Sequence, residues 1–296
     1  MKITPMQTLK SIPTVSEKDA DPSVSAIFED IKNTLEVPFV NLIWRHLATI
    51  PSGLSMTWSL AKPLYFSETL DASARAMRKQ ASLVDTLTPW PEPVRSALGL
   101  TPKDKSEIVL LLEDYGHANS RALLVLSYLH RSIANQSPQD SKAQLNPLSD
   151  SIQLDPLAHL RERKESQIKP ARPLPAPGDL PIAVADLVKI LNTFGAPIPT
   201  PAEPSLYRHL AYWPSFLAAF WLVAEPLEQK GLLVREGIAM QERAFSIVSQ
   251  WKPAALKHDA IAAGSVKQVL VSIDHFTHAV ISRMIVHGDM MRRMID

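Results

Sequence analysis

A twenty-residue stretch that occurs twice constrains this chain more than any other feature. RHLATIPSGLSMTWSLAKPL, residues 45–64, returns as RHLAYWPSFLAAFWLVAEPL, residues 208–227, with eleven of twenty positions identical at a constant offset of 163. Unrelated windows share only about one position in twenty, so the match marks an internal duplication. Ala76, Met77 and Ala81 match Ala239, Met240 and Ala244 at the same offset. Two halves built on one scaffold supply a test for function. Matched residues report the scaffold; a polar residue in one half that corresponds to an apolar one in the other is a candidate for chemistry.

The local signals are helical throughout. Asp21-Pro22 is an N-cap followed by proline in the first turn, and the stripe Val24, Ile27, Phe28, Ile31 and Leu35 predicts a helix to about Glu36. Pro51 and Pro63 are expected to start and to stop or kink the next helix, and Pro214 and Pro226 to do the same in the second copy. Thr101-Pro102 with Asp104 opens a long helix to about Ile133, whose inward stripe is Ile108, Leu112, Tyr115, Asn119, Ala122, Leu126, Leu129 and Ile133. The second half ends on a comparable helix in which His278 and Ala279 correspond to His117 and Ala118, Phe276 to Tyr115, and Val280 to Asn119. Residues 134–178, rich in Pro, Ser and Gln, read as a long linker over the surface. Helical pattern resumes in PIAVADLVKILNTF, where Asp186 aligns with Asp30 across a gap. No alternating Val/Ile/Thr run bounded by turn signals occurs. The expectation is an all-α protein of two helical halves, 1–133 and 179–296, related by a pseudo-dyad and joined by the linker.

Composition removes several function classes. Lys+Arg 31 against Asp+Glu 30 leaves no net field to attract nucleic acid or an anionic membrane, and neither is expected as a partner. With no cysteine, thiolate metal sites, Cys nucleophiles and CxxC redox centres are excluded. There is no Gly-x-Gly, no P-loop, no G-x-S-x-G and no HExxH. His275 and His278 share a helix face but lack companions at ligand spacing, so no metal and no cofactor is expected. The first 25 residues have no apolar core of signal-peptide length and no window is an unbroken apolar span, which predicts a cytoplasmic protein.

Three features invite a catalytic reading. Arg45-His46 and Arg208-His209 are duplicated intact, which favours a scaffold role, and Trp58 and Trp221, also duplicated, are expected in the core. Asn119 interrupts an apolar stripe where the other half has Val280, so either it packs helices through a hydrogen bond or it serves a site. Asp186, with Ile182 and Ala183 one turn before and Ile190 one turn after, is expected to be desolvated, which would raise its basicity; the alternative is an ion pair with a core arginine such as Arg208. Asp30 lies off its stripe and is expected to be solvated.

At these residues the chain resembles the group I 2-haloacid dehalogenases, all-α proteins with two pseudo-repeats and a long proline-containing connection. The likeness is carried by VPFVNLIWRHLATIP, YGHANSRALL, Ala185-Asp186-Leu187 and SLYRHLAYWP, and covers most of the chain. It implies a homodimer without metal or organic cofactor that hydrolyses short 2-haloalkanoic acids to 2-hydroxyalkanoic acids. Water attacks C2 directly and inverts it, in one site per subunit. Carried over by position, Asp186 activates the water and Asn119 helps to hold it; Phe39, Asn41, Leu42, Ala122, Val184 and Ala185 fall where substrate is contacted. Active members tend to carry serine before the aspartate and tyrosine one turn beyond the asparagine, where this chain has Ala185 and Ala122. The wider fold includes alkylhydroperoxidase-like proteins, whose CxxC pair is missing here. The alternative is a member without dehalogenation, acting on another small carboxylic acid or serving as a helical binding protein.

Overall fold

The computed structural model describes residues 12–134, 172–251 and 263–296, and no β-strand forms among them. Most of the connection expected at 134–178 lies outside the described residues. In the first half, α1 (Pro22–Leu35) starts at Asp21, whose Oδ1 accepts from the amides of Ser23 at 2.8 Å and Val24 at 3.0 Å. It ends at Glu36 in the left-handed region, and it buries Phe28, Ile31 and Leu35. The short α2 (Leu42–Leu47) and α3 (Gly53–Ala61) follow, and the chain tightens into a 3-10 turn, Lys62–Phe66, where Pro63 has no amide to donate. Next come α4 (Glu68–Arg78) and the short turns α5 (Ser82–Asp85) and α6 (Glu92–Ala97).

The axis of the molecule is α7 (Pro102–Ala134), 33 residues long. A reciprocal cap sets its start: the Asp104 amide donates to Thr101 Oγ1 at 3.1 Å, and the Thr101 amide donates to Asp104 Oδ2 at 3.0 Å. Every member of the stripe read from the sequence is buried, but burial goes further: from Ala118 to Leu129 the helix is enclosed on all sides. A helix surrounded in this way makes every polar side chain on it a commitment to a specific partner.

The second half consists of α8 (Ile182–Leu191), α9 (Ser205–Leu210), α10 (Pro214–Gln229), α11 (Leu232–Ser249) and α12 (Ala263–Phe276). It closes on one π turn, Thr277–Ile281, that runs into α13 (Ser282–Ile295). Helices α7 and α13 lie along each other, α11 packs on both, and α4 covers α7. Residues Gly264–Ile295 are long and apolar enough to cross a membrane by composition, yet 67% of the most apolar window is buried inside the protein. Trp58 is buried, and Trp221 only partly.

Pro226 does not stop its helix, because α10 continues to Gln229. The carbonyl that loses its amide partner belongs to Leu222, whose residue is exposed and can turn that carbonyl to water, so the local cost of the proline is small.

Candidate active site

A cavity of about 30 Å³, room for roughly one water, lies where the halves meet. Its polar wall is Asn41 at the start of α2, Tyr115 and Asn119 on α7, and Ser205 at the start of α9; Leu42, Phe276, Val280 and Met284 make much of the rest. Tyr115 and Asn119 therefore share one cavity with Phe276 and Val280, the residues that correspond to them in the second half. The π turn supplies part of the apolar wall. Widening the helix by one residue there displaces Val280 and Ile281 from the register an α-helix would give them, and such turns recur at functional sites.

The amides are coupled. Asn41 Nδ2 donates to Asn119 Oδ1 at 2.9 Å, both residues are buried, and Asn41 Oδ1 is left without a protein partner. The desolvated acceptor at the wall suits a water or a ligand donor.

Behind the wall runs a chain of buried polar groups whose directions can be assigned. His209 Nε2 faces the carbonyl of Arg172 at 3.0 Å, so it carries the proton and donates. Nδ1 is then the acceptor and takes the Tyr115 hydroxyl at 2.9 Å. Burial holds the His209 imidazole neutral, with its pKa down to about 4. Burial also pushes the Tyr115 phenol well above its ordinary value, so it stays protonated. Ser205 accepts from Arg45 Nη2 at 2.7 Å and lies within bonding reach of Tyr115. Phe39 stacks on Tyr115, with ring centroids 4.2 Å apart, and locks the phenol from the far side.

Arg45 and Arg208 both approach Ser205, the first through its hydrogen bond and the second from one turn further along α9. Burial, together with the like charge of Arg208, presses the Arg45 guanidinium below its usual pKa, and burial does the same to Arg208. The Nε of each has no acceptor among the described residues. Their histidine neighbours do scaffold work: His46 Nδ1 meets the carbonyl of Pro13 at 2.9 Å and Nε2 the Ser272 hydroxyl at 3.0 Å. The two Arg-His pairs, alike in sequence, differ in place: His209 joins the polar chain behind the cavity and His46 does not.

Asp186 corrects an expectation. Its side chain is 58% exposed and paired at 3.0 Å with Lys189, not desolvated and not on Arg208. The inward face of α8 is Val184, Leu187, Val188 and Leu191, while Ile182 and Ile190, expected to bury Asp186, are 82% and 48% exposed. At about 100° per residue Asp186 stands some 200° from Val188, on the opposite side. Asp30 reverses too: it is half-buried, accepting from Trp58 Nε1 at 2.8 Å and Lys62 Nζ at 2.9 Å. Among the residues singled out from the sequence, Asn119, Asn41 and Leu42 line the cavity and Phe39 backs it. Ala122 is fully buried one turn further along α7, and Val184, Ala185 and Asp186 are not in the wall. Among the described residues no carboxylate lines the cavity. His275 Nε2 bonds Thr200 Oγ1, and His278 Nδ1 bonds the carbonyl of Asp274.

No family model matches the chain. A protein from Rhizobium sp. (strain NHG3) named (R)-2-haloacid dehalogenase is 24% identical over 266 residues, 88% of this chain and 96% of that protein. A configuration-inverting 2-haloacid dehalogenase from Pseudomonas sp. (strain 113) is 22% identical over 209 residues, 71% of this chain and 65% of that protein. In structure, a D-2-haloacid dehalogenase mutant in complex with D-2-CPA superposes with a TM-score of 0.76 at 15% identity, covering 97% of both chains. The chain is thus a relative of the 2-haloacid dehalogenases over most of its length, and it shares their all-α fold.

Proposed function

We propose that this protein hydrolyses short 2-haloalkanoic acids to 2-hydroxyalkanoic acids at the junction of its halves, where the cavity, with room for roughly one water, widens to admit the acid beside the attacking water. The observation that carries the reading is the Asn41–Asn119 amide pair, buried at the wall of a small and otherwise largely apolar cavity, together with the names of the relatives. In the reaction, a water held by the Asn119 amide attacks C2 opposite the carbon–halogen bond. The new C–O bond forms as the halide departs with the bonding pair, a base takes the water proton, and C2 inverts. Apolar walls favour such a displacement by stripping solvent from the nucleophile, and no covalent ester is needed.

Asp186 is the base in this assignment. The role demands a state in which the bond to Lys189 is broken and the carboxylate reaches the cavity, because a solvated, ion-paired carboxylate is a poor base. Halide release from both enantiomers of 2-chloropropionate, with Asp186→Asn alongside, tests the proposal: release by the wild type and none by the variant supports it. Equal release by both removes Asp186 from catalysis. A homodimer and a cytoplasmic location complete the reading, and sedimentation of the purified protein tests the first.

The exposure of Asp186 and the alanines at 185 and 122 favour a second reading, a protein of the same fold that handles another small carboxylic acid without dehalogenation. Failure to release halide from either enantiomer, with binding of a short acid retained, would select it.

A further inference from the structure

Two guanidiniums at the junction of the halves have no ion-pair partner among the described residues. Arg45 is 7% exposed and Arg208 half-buried, each comes from one copy of the duplicated motif, and they are close enough for Arg208 to depress ionisation of Arg45. Among the described residues no carboxylate stands within ion-pair distance of either. Glu17 and Glu203 act on them only at range, and Glu17 is engaged by Lys32 at 3.2 Å and by the amide of Val40 at 3.1 Å. Burying two like charges at one junction opposes folding, and arginine does not escape by losing its proton. An anion relieves both.

The geometry says where that anion would sit. Arg45 holds Ser205 Oγ, Ser205 lies on the cavity wall, and Arg208 is one turn beyond Ser205 on α9. Tyr115, the next polar group in the wall, feels both guanidiniums. The cavity is therefore backed by positive charge on the Ser205–Tyr115 side and apolar on the Phe276–Val280–Met284 side. We propose that Arg45 and Arg208, standing behind the wall, make the cavity selective for the carboxylate of a short monocarboxylic acid once it widens beyond its one-water size, with the Ser205 hydroxyl passing their charge to the acid and the apolar wall taking the alkyl end. This rests on the functional reading above for the acid's identity as a substrate, not for its binding.

The same charge would also suit a halide, so the test separates the two. Propionate, propionamide and bromide are titrated by calorimetry into the wild type, Arg208→Met and Arg208→Lys. Arg208 is chosen because it is the more exposed of the pair, and thermal melts of each variant confirm folding. The expected result is that propionate binds the wild type, weakens by about tenfold or more in Arg208→Met and partly recovers in Arg208→Lys. Propionamide, the neutral isostere, should bind more weakly and ignore the substitution. Three results overturn the proposal: propionate affinity equal in wild type and Arg208→Met, or not measurable in either; propionamide binding as well as propionate; or Arg208-dependent bromide binding that propionate does not compete. Arg208-dependent propionate binding without halide release from 2-chloropropionate would keep the carboxylate site and defeat dehalogenation. Halide release with an unchanged KM in Arg208→Met would do the reverse.

Discussion

Asn41 Nδ2 donates to Asn119 Oδ1 at 2.9 Å across 78 residues of sequence, joining the start of α2 to the middle of the central helix. In the second half the position of Asn119 is Val280, which faces the same cavity. Asn119→Val would copy that half and strand the Asn41 amide donor in a buried place, at a cost of about 1–3 kcal/mol in stability. Halide release should fall with it by about tenfold or more, since the group that holds the water is gone. Adding Asn41→Leu removes the stranded donor, so the double variant should regain stability in urea denaturation without regaining activity. Recovery of both would mean that the pair only packs helices.

Lys189 holds Asp186 at 3.0 Å on the solvent face of α8. An exposed pair of this kind contributes roughly 0–0.5 kcal/mol, so Asp186→Asn and Lys189→Ala should melt close to the wild type, and any change in rate reports chemistry. If Asp186 is the base, Lys189→Ala frees it and should raise the rate of halide release modestly while Asp186→Asn abolishes it. A rate untouched by either substitution removes the carboxylate from the reaction.

Local signals carried the parts of the fold that are decided locally. The caps at Asp21 and Thr101 and the stripe of α7 were legible because a side-chain oxygen three residues from an orphan amide, or an apolar repeat of three and four, has few other uses. Asn119 was legible for the same reason, as one amide in that stripe. Asp186 was misread because α8 is apolar almost all round, so a helical wheel offers two faces, and only packing against α9 and α10 selects Val184–Leu187–Val188–Leu191. Arg45 and Arg208 recur within matching stretches of sequence, a pattern that normally marks scaffold; the structure adds that both stand at the junction of the halves with no ion-pair partner among the described residues, and the proposed anion would neutralise them there.

Imidazole burial sets a pH limit. His209 and His117 are held at about 4 and His287 at about 3, in each case mainly by burial. The unfolded chain takes up protons on these groups near 6.5, before the folded protein does, so their contribution is complete above pH 6.5 and is lost as pH falls toward 4. Each differential proton is worth about 1.4 kcal/mol per pH unit. Asp114, raised to about 6 by burial and by Glu113, acts with the opposite sign between pH 4 and 6, and Asp289, raised by burial, acts in the same direction as Asp114. Three imidazoles outweigh two carboxylates, so the urea midpoint should drop between pH 7 and pH 5. A flat or rising midpoint would mean that the imidazoles are hydrated in solution.

Arg283 is a buried cation that the site does not use. It is 1% exposed, and its Nη1 donates to the carbonyls of Asn192 at 2.8 Å and Phe194 at 2.9 Å, just past the end of α8. Positive charge at that end suits the helix dipole, and the two carbonyls have left the helical ladder and need donors. Arg283→Met keeps most of the volume and strands both carbonyls, while sparing the desolvation of a charge whose nearest carboxylate, Glu228, acts only at range and caps the amide of Gly195. The first effect should win, because two acceptors lose their partner where water does not reach, and the variant should lose about 2–4 kcal/mol in urea denaturation. The loss should be accompanied by faster amide exchange over residues 188–195, with little change in α7. Unchanged stability would mean that the desolvation of Arg283 costs as much as its hydrogen bonds return.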